Sequence, residues 1–433
     1  MKELLEKIKN KKSVVGVYGL GYVGLPLAVE TSKNGFRVIG FDIQENKVAM
    51  VNRGENYIGD IVDDDLARLV KEGKLSATTD YAKITECDII LICVPTPLDR
   101  YLQPDVRYIE NACNDIFKFR KKPSLVVLES TTYPGTTEEI VKPILEKDGS
   151  KLGVDLFLAF SPERVDPGNP HYKTNNTPKV VGGCTSGCNE LAVDFYKAVI
   201  SGGVFPVSSP KIAEMEKLLE NIFRLVNIGL VNEMALLCDK MNINIWEVIE
   251  AAKTKPYGFM PFYPGPGLGG HCIPIDPYYL TWKAKEFKFQ TTLIEAAGNI
   301  NHQMPDYVVE KSGKILNSLG KCFSNSKVVI LGVAYKKDID DYRESPVLSI
   351  IEQFQKFGTN IEIVDPHVKE FKSENGRKMT TVELTEKLLQ ESDLVLLTTD
   401  HSTFDEDMIL KNSKMVYDTR NFIKKKSEKV VKL

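Results

Sequence analysis

Ser13-Val-Val-Gly-Val-Tyr18 runs directly into Gly19-Leu20-Gly21-Tyr22-Val23-Gly24, and the reading of this stretch decides the fold. Its first half is short, apolar and β-branched, the composition of a buried strand. Its second half is GxGxxG, followed by Leu25 to Lys33, which reads as a helix, and by Phe36 to Phe41, a second strand ending at Asp42. Strand, glycine turn, helix, strand and acid in this order are the dinucleotide-binding arrangement. Gly19 permits the tight turn, Gly21 lets the backbone approach a pyrophosphate, and Gly24 lets the helix pack closely on the strand. The helix N-terminus turns free N–H groups and a positive dipole end toward the phosphates. Asp42 lies 23 residues after Gly19, where a carboxylate takes the adenosine ribose hydroxyls. It would repel a 2′-phosphate, so these residues favour NAD over NADP.

The α/β alternation continues outward through Asp88–Val94, Ser124–Leu128, Leu156–Phe160 and Lys179–Val181. Fully apolar strands alternating with helices predict a doubly wound parallel sheet covered on both faces. Ligands of such sheets sit beyond the carboxyl ends of the strands. The residues found there are Val94-Pro95-Thr96-Pro97, Glu129-Ser130-Thr131-Thr132 and Ser161-Pro162-Glu163-Arg164. Three polar strand ends on one rim point to a site rather than to ordinary turns.

The bulk numbers agree. A chain of 433 residues predicts two to three domains. A hydrophobic content of 42%, a charged content of 27% and a net charge of −3 predict a globular protein with no nucleic-acid partner. No consecutive apolar run reaches the length of a membrane span, and Met1 to Lys12 lacks the apolar core of a signal peptide. Eight cysteines without regular pairing suggest reduced thiols and a cytoplasmic location. Cys184 and Cys188 form CxxxC with no second Cys/His pair, so no metal site is expected.

Ser209 and Pro210 open a long helix as N-cap and first residue, and apolar residues keep helical period to about Met241. Lys217 and Asn221 are i, i+4 partners on another of its faces, an ammonium and an amide suited to a developing oxyanion. The helix is expected to supply an interface, and the chain to be a homodimer or higher homo-oligomer. Asn242 to Lys253 and Pro277 to Leu319 read as further helix. Between them lies Tyr263-Pro-Gly265-Pro-Gly267-Leu-Gly269-Gly270-His271-Cys272-Ile-Pro-Ile-Asp276-Pro277. Its glycines and prolines exclude regular structure and allow close approach to a ligand. A helix starting at Cys272 would set this thiol and Asp276 on one face, and a thiol so presented is a candidate nucleophile.

From Ser326 the pattern begins again. Ser326–Leu331, Ile361–Val364 ending at Asp365, Leu394–Thr398 and Met415–Tyr417 read as strands of a second doubly wound unit. It lacks GxGxxG, so a different nucleotide or phosphate is expected, held by Lys336, Arg343 and Arg420. The tail from Lys424 to Leu433 is basic and is expected to fray. The resulting division is 1–208 for an NAD-binding domain, 209–320 for a helical central or dimerisation domain, and 321–433 for a second Rossmann-like domain.

The motifs together resemble the UDP-glucose/GDP-mannose dehydrogenase family. Those that carry the resemblance are Gly-Leu-Gly-Tyr-Val-Gly-Leu-Pro from Gly19, Ser-Thr-Thr-Tyr-Pro-Gly from Ser130 and Ser-Pro-Glu-Arg from Ser161. Glu-Lys-Leu-Leu-Glu-Asn from Glu216, Gly-Gly-His-Cys-Ile-Pro-Ile-Asp-Pro from Gly269 and Lys-Lys-Asp…Arg-Glu-Ser from Lys336 complete the set. Histidine before the cysteine is most similar to the enzymes of N-acetylated sugars, UDP-N-acetylglucosamine first, with UDP-N-acetylmannosamine, UDP-N-acetylgalactosamine and UDP-glucose as alternatives. The resemblance implies an NAD-dependent four-electron oxidation of a UDP-sugar at C6, through a thiohemiacetal and a thioester on Cys272.

The same resemblance assigns roles. Lys217 and Asn221 stabilise oxyanions, Glu163 moves protons in thioester hydrolysis, and Thr131 and Asp276 position water. Gly19, Leu20, Gly21, Tyr22, Val23, Asp42, Pro95, Thr96, Thr132 and Arg343 would contact NAD. Arg164, Lys217, Asn221, Tyr263, Gly265, Gly267, Gly269, Tyr335, Lys336 and Arg420 would contact the UDP-sugar. Other members often place an arginine some sixteen residues before the cysteine. Here the segment reads Lys253-Thr-Lys255-Pro256, and no cross-subunit cation is assigned. A two-electron hydroxyacid-type dehydrogenase or an NAD-sensing protein would not need Lys217, Asn221, Glu163 and Cys272 together.

Overall fold

The apolar β-branched runs become strands because each is buried on both faces. The computed structural model describes residues 1–433 except Asp60, Pro167, His271 and Cys272. It divides into two units, Met1–Glu220 with Tyr278–Lys288, and Asn221–Pro277 with Phe289–Leu433.

The first unit is built on β1 (Val14–Tyr18), β2 (Arg37–Phe41), β3 (Leu75–Thr78), β4 (Ile89–Ile92), β5 (Ser124–Leu128), β6 (Leu156–Phe160), β7 (Lys179–Gly183) and β8 (Val204–Val207). Their order is β3-β2-β1-β4-β5-β6-β7-β8, with β1 parallel to both β2 and β4. Val15 and Val17 of β1 face one apolar layer with Leu25 and Leu27. Tyr18, Ile39, Phe41, Ile90 and Ile92 line the opposite layer. The parallel sheet expected from the sequence needs one correction, because β7 runs antiparallel to β6. The described residues between these strands form no helix, so no crossover carries the chain over a face and it turns back instead. Strand β8 escaped prediction because it is a half-exposed edge strand containing Pro206.

The second unit holds β9 (Lys327–Leu331), β10 (Asn360–Val364), an antiparallel pair β11 (Glu370–Lys372) and β12 (Lys378–Thr380), then β13 (Leu394–Leu397), β14 (Val416–Asp418) and β15 (Val430–Lys432). The main sheet runs β10-β9-β13-β14-β15 and is wholly parallel. The tail therefore does not fray. Val430 and Val431 extend the edge of β14 and Leu433 is buried, while the tail lysines other than Lys432 precede the strand. Tertiary pairing overrides local composition here.

The long helix spans Pro210–Lys240 and is followed by Ile245–Lys253, Asp276–Ala284 and Thr292–Ser318. By length and composition it could cross a membrane, although charged residues such as Glu220, Arg224 and Glu233 interrupt any consecutive apolar run. The helix expected to begin at Cys272 begins at Asp276, after a turn over 273–275. Pro274 biases Ile273 away from helical angles, whereas Pro277 suits a first turn. The condition for Cys272 and Asp276 to share a helix face concerns Cys272, which lies outside the described residues.

Asp393, at the entry to β13, is buried and accepts from Lys321 Nζ (2.6 Å), Lys414 Nζ (3.0 Å) and the Lys327 N–H (3.0 Å). Burial disfavours its charge, but these donors prevail and hold its pKa down at about 2. A carboxylate depressed in the folded state stabilises above its unfolded pKa, near 4, and loses that stabilisation as pH falls toward 2. Asp393→Asn should cost on the order of 1–2 kcal/mol at pH 7, allowing for the exposed lysines. Urea titrations should show the deficit shrinking between pH 5 and pH 3. A deficit unchanged with pH would remove the ion-pair account.

Candidate functional site

In the first unit the glycine turn has the shape its spacing predicts. Gly19 adopts φ +97°, and a Cβ there would meet the Cys93 carbonyl at 2.5 Å. A Cβ on Gly24 would lie 1.8 Å from the Gly19 carbonyl, so the helix Gly24–Lys33 approaches β1 only because no side chain intervenes. Beside Gly21 there is open space, with no atom within 4 Å of a built Cβ, which is room for a phosphate. Val23 caps that helix without a side-chain hydrogen bond, and in its first turn the Leu25 N–H donates to the Gly21 carbonyl at 3.1 Å while Pro26 has no N–H to give. Asp42 accepts from the Leu20 N–H and the Gln44 N–H, both at 2.9 Å, and the Tyr57 hydroxyl donates to the Leu20 carbonyl at 2.7 Å. The residues present fit a dinucleotide, with Asp42 shaping the loop through two backbone N–H bonds.

The rim beyond β4 and β5 is tied down by its own hydroxyls. Ser130 Oγ donates to the Val94 carbonyl at 2.8 Å, Thr132 Oγ1 pairs with Thr136 Oγ1 at 2.9 Å, and the Tyr279 hydroxyl donates to the carbonyl of Thr96, next to Pro95. Thr131 remains half-buried on this rim.

Beyond β6, Glu163 accepts at Oε1 from the N–H groups of Arg164 and Val165, both at 2.8 Å. Its Oε2 lies 3.9 Å from Lys179 Nζ. Lys179 is wholly enclosed and bonded to Glu129, which also receives the Tyr196 hydroxyl. Burial lowers the Lys179 pKa, but the carboxylates of Glu129 and Glu163 outweigh it and raise the value. The sequence reading placed Glu129 on the rim without a role and passed over Lys179 and Tyr196. A lysine opening an apolar strand was the available signal.

Arg164 does not stand free for a ligand. Its guanidinium is bonded to Glu220 and the Pro178 carbonyl, with Glu216 at 3.4 Å. Burial and the neighbouring Glu220 push Glu216 up to about 7. Lys217, buried beside these acids in the helix, belongs to this unit as well.

In the second unit Asn221 donates to Asp276 Oδ2 at 2.5 Å, both buried. The loop from Tyr263 is fixed by Asn232, which accepts the Gly265 N–H at 3.0 Å and donates to Asn301 at 2.8 Å. Tyr263 stacks on Trp246 at 6.2 Å, and its hydroxyl donates to Glu250 at 2.7 Å. The loop glycines serve close approach, as expected, but much of what approaches belongs to the chain itself. A Cβ on Gly265 would meet Arg420 at 2.5 Å, one on Gly267 would meet Pro346 at 2.9 Å, and one on Gly269 would meet Tyr335 at 2.4 Å. Gly270 donates to the Arg343 carbonyl at 3.1 Å. The Arg343 guanidinium makes a bidentate pair with Asp341, at 2.9 and 2.7 Å. Arg420 Nε donates to the Thr398 carbonyl at 2.8 Å, and Lys336 lies half-buried between Tyr335 and Lys337. The second unit thus packs Tyr335 and Arg420 against the glycine loop and joins Asn221 to Asp276.

Residues 13–200 match the NAD binding domain of the UDP-glucose/GDP-mannose dehydrogenase family, 211–303 its central domain and 329–425 its UDP binding domain. The chain is 38% identical to a UDP-N-acetyl-D-glucosamine 6-dehydrogenase of Pseudomonas aeruginosa, over 82% of this chain and 83% of that one. It is 36% identical to an NDP-N-acetyl-D-galactosaminuronic acid dehydrogenase of Ralstonia nicotianae, over 94% and 95%. The solved UDP-D-ManNAc dehydrogenase of Pyrococcus horikoshii superposes with a TM-score of 0.88 at 33% identity, covering 97% of this chain and 98% of that one.

The sequence reading makes Asp42 a ribose acceptor and a charge that repels a 2′-phosphate, and Asp42→Ala removes both. NAD binding should weaken on the order of tenfold, and the preference over NADP should narrow. Titration of both cofactors checks this, and a wild type preferring NADP would contradict the role of Asp42.

Proposed function

The chain belongs to the UDP-glucose/GDP-mannose dehydrogenase family, and from that premise we propose that its substrate is a UDP-N-acetylhexosamine, UDP-N-acetylglucosamine first. It is an NAD-dependent enzyme that oxidises a UDP-sugar at C6. When bound, NAD supplies the hydride acceptor for each of two oxidations. Between them, the thiolate of Cys272 adds to the C6 aldehyde as a thiohemiacetal and so prevents a reactive aldehyde from escaping. The second oxidation leaves a thioester, which water hydrolyses to the uronic acid.

The buried Asn221–Asp276 hydrogen bond is the observation that carries the assignment of chemistry. It orients an amide N–H donor and a carboxylate within a water-poor environment, where oxyanion stabilisation is strongest. Within the first unit Lys217 supplies a buried cation and Thr131 positions water, and within the second unit Asp276 does the latter. Glu163 moves the proton of hydrolysis, its charge held beside Lys179. Arg420, Lys336, Tyr335 and the loop Tyr263–Gly270 hold the nucleotide sugar in 321–433 and 209–320, while 1–208 holds NAD. Arg343, assigned to NAD by the resemblance, carries a bidentate pair with Asp341. A homodimer is supported by Phe223, Leu230, Met234, Leu237 and Met241, apolar residues left exposed at helical spacing along and just past the long helix.

The sugar is read from the loop form ending in His271-Cys272, and relatives acting on gluco, galacto and manno N-acetylated sugars share the fold. A pocket built for an acetamido group leaves polar groups unpaired when glucose binds, at roughly 1–3 kcal/mol each. UDP-glucose should therefore turn over about ten- to a hundredfold less efficiently, and GDP-mannose not at all. A side-by-side assay following NADH decides, and equal kcat/KM for UDP-glucose would reject the loop as specificity element. Cys272→Ser should retain NAD binding yet form no uronate, while the wild type forms about two NADH per UDP-sugar. Uronate produced by the variant at the wild-type rate would eliminate the covalent path.

A further inference from the structure

Three loops at the carboxyl rim of the second sheet bring two imidazoles and a carboxylate together. Asp338 follows β9, His367 follows β10 and His401 follows β13. Asp338 Oδ1 lies 3.8 Å from His367 Nε2 and 3.8 Å from His401 Nδ1, and all three ligand atoms lie within 4.8 Å of one another. Ligands at zinc distances from a shared tetrahedral ion are about 3.4 Å apart, so a small contraction suffices.

From these residues we propose a zinc-type divalent cation site, with Asp338, His367 and His401 as ligands and a water in the fourth position. The groups behind the ligands favour this over a chance meeting of polar side chains. His401 is fully enclosed, with Nε2 3.2 Å from Asp365 Oδ2. Asp365 also collects the N–H groups of Val333, Ala334, His367 and Val368 at 2.8–3.0 Å. Asp365 so placed accepts a hydrogen bond from His401 Nε2–H, which leaves the ring lone pair on Nδ1, where it receives the Asp338 N–H. That carboxylate–histidine relay is the usual support of a metal-bound imidazole. The second ligand is oriented as well, because Ser402 donates to Asp338 through its N–H (2.7 Å) and its hydroxyl (2.6 Å).

His401 Nδ1 accepts the Asp338 N–H at 3.1 Å, and this is the bond the cation replaces. His367, with a third of its side chain exposed, gives the entry path and the open coordination position. A buried structural histidine would need Asp365 alone, and would not require His367 or the Asp338 carboxylate within reach. Two imidazoles and one carboxylate select zinc and its neighbours over magnesium or calcium. The cysteine spacing gave no hint of this site, since its histidines stand 34 residues apart and share no motif. Occupancy would tie the segment after β9, which carries Tyr335 and Lys336, to the ends of β10 and β13. Its effect on UDP-sugar affinity rests on the reading of Lys336 above, whereas binding of the cation does not.

Full-length protein stripped with chelator and titrated with Co2+ tests the site through visible ligand-field bands, with Zn2+ as competitor. One equivalent of Co2+ should bind with nitrogen–oxygen rather than thiolate bands, and Zn2+ should displace it. His367→Ala, exposed and remote from the core, should weaken binding at least about tenfold, and Asp338→Asn likewise. Binding unchanged in both variants, binding abolished by thiol alkylation, or no stoichiometric binding would each overturn the site.

Discussion

The acid that closes the second strand of each sheet holds the loop that leaves the first. In the first unit Asp42, after β2, accepts the Leu20 N–H of the glycine turn. In the second unit Asp365, after β10, accepts the N–H groups of Val333 and Ala334, which follow β9. A buried carboxylate without donors would carry a large desolvation penalty, so the loop must supply N–H groups in a fixed arrangement. Both functional rims depend on that requirement. They differ in what remains of the acid. Asp42 accepts two backbone N–H groups, those of Leu20 and Gln44, whereas Asp365 accepts four and also faces His401.

A second layer of buried charge supports the first rim. Glu129 and Lys179 face one another inside the first unit, with Tyr196 on the same carboxylate. Such a pair adds little net stability, because desolvating two ions offsets their attraction, yet removing either partner leaves a stranded charge. What the pair achieves here is positional. Lys179 stands 3.9 Å from Glu163 and thereby sets the field felt by the residue assigned to proton transfer.

The glycines of the loop from Tyr263 show why composition underdetermines geometry. Glycine-rich sequence announces close approach but not what approaches. Arg420, Pro346 and Tyr335 occupy the spaces beside Gly265, Gly267 and Gly269. The loop is consequently packed in place by residues distant in sequence, a form of preorganisation that lowers the ordering cost of binding.

The sequence by itself determined both doubly wound units, the NAD turn with Asp42, and the family motifs, because these are encoded in local periodicity and in glycines whose φ or packing admits no alternative. Tertiary structure alone decided the reversal of β7 against β6, the pairing of the basic tail as β15, and the start of the helix at Asp276 rather than Cys272. It also decided that Arg164 and Arg343 are spent on Glu220 and Asp341, and that Asp338, His367 and His401 share one rim. The physical reason is common to all of them. Strand pairing, charge pairing and ligand clustering join residues that are far apart along the chain, and no local pattern records which distant partner a buried charge or an open sheet edge will find.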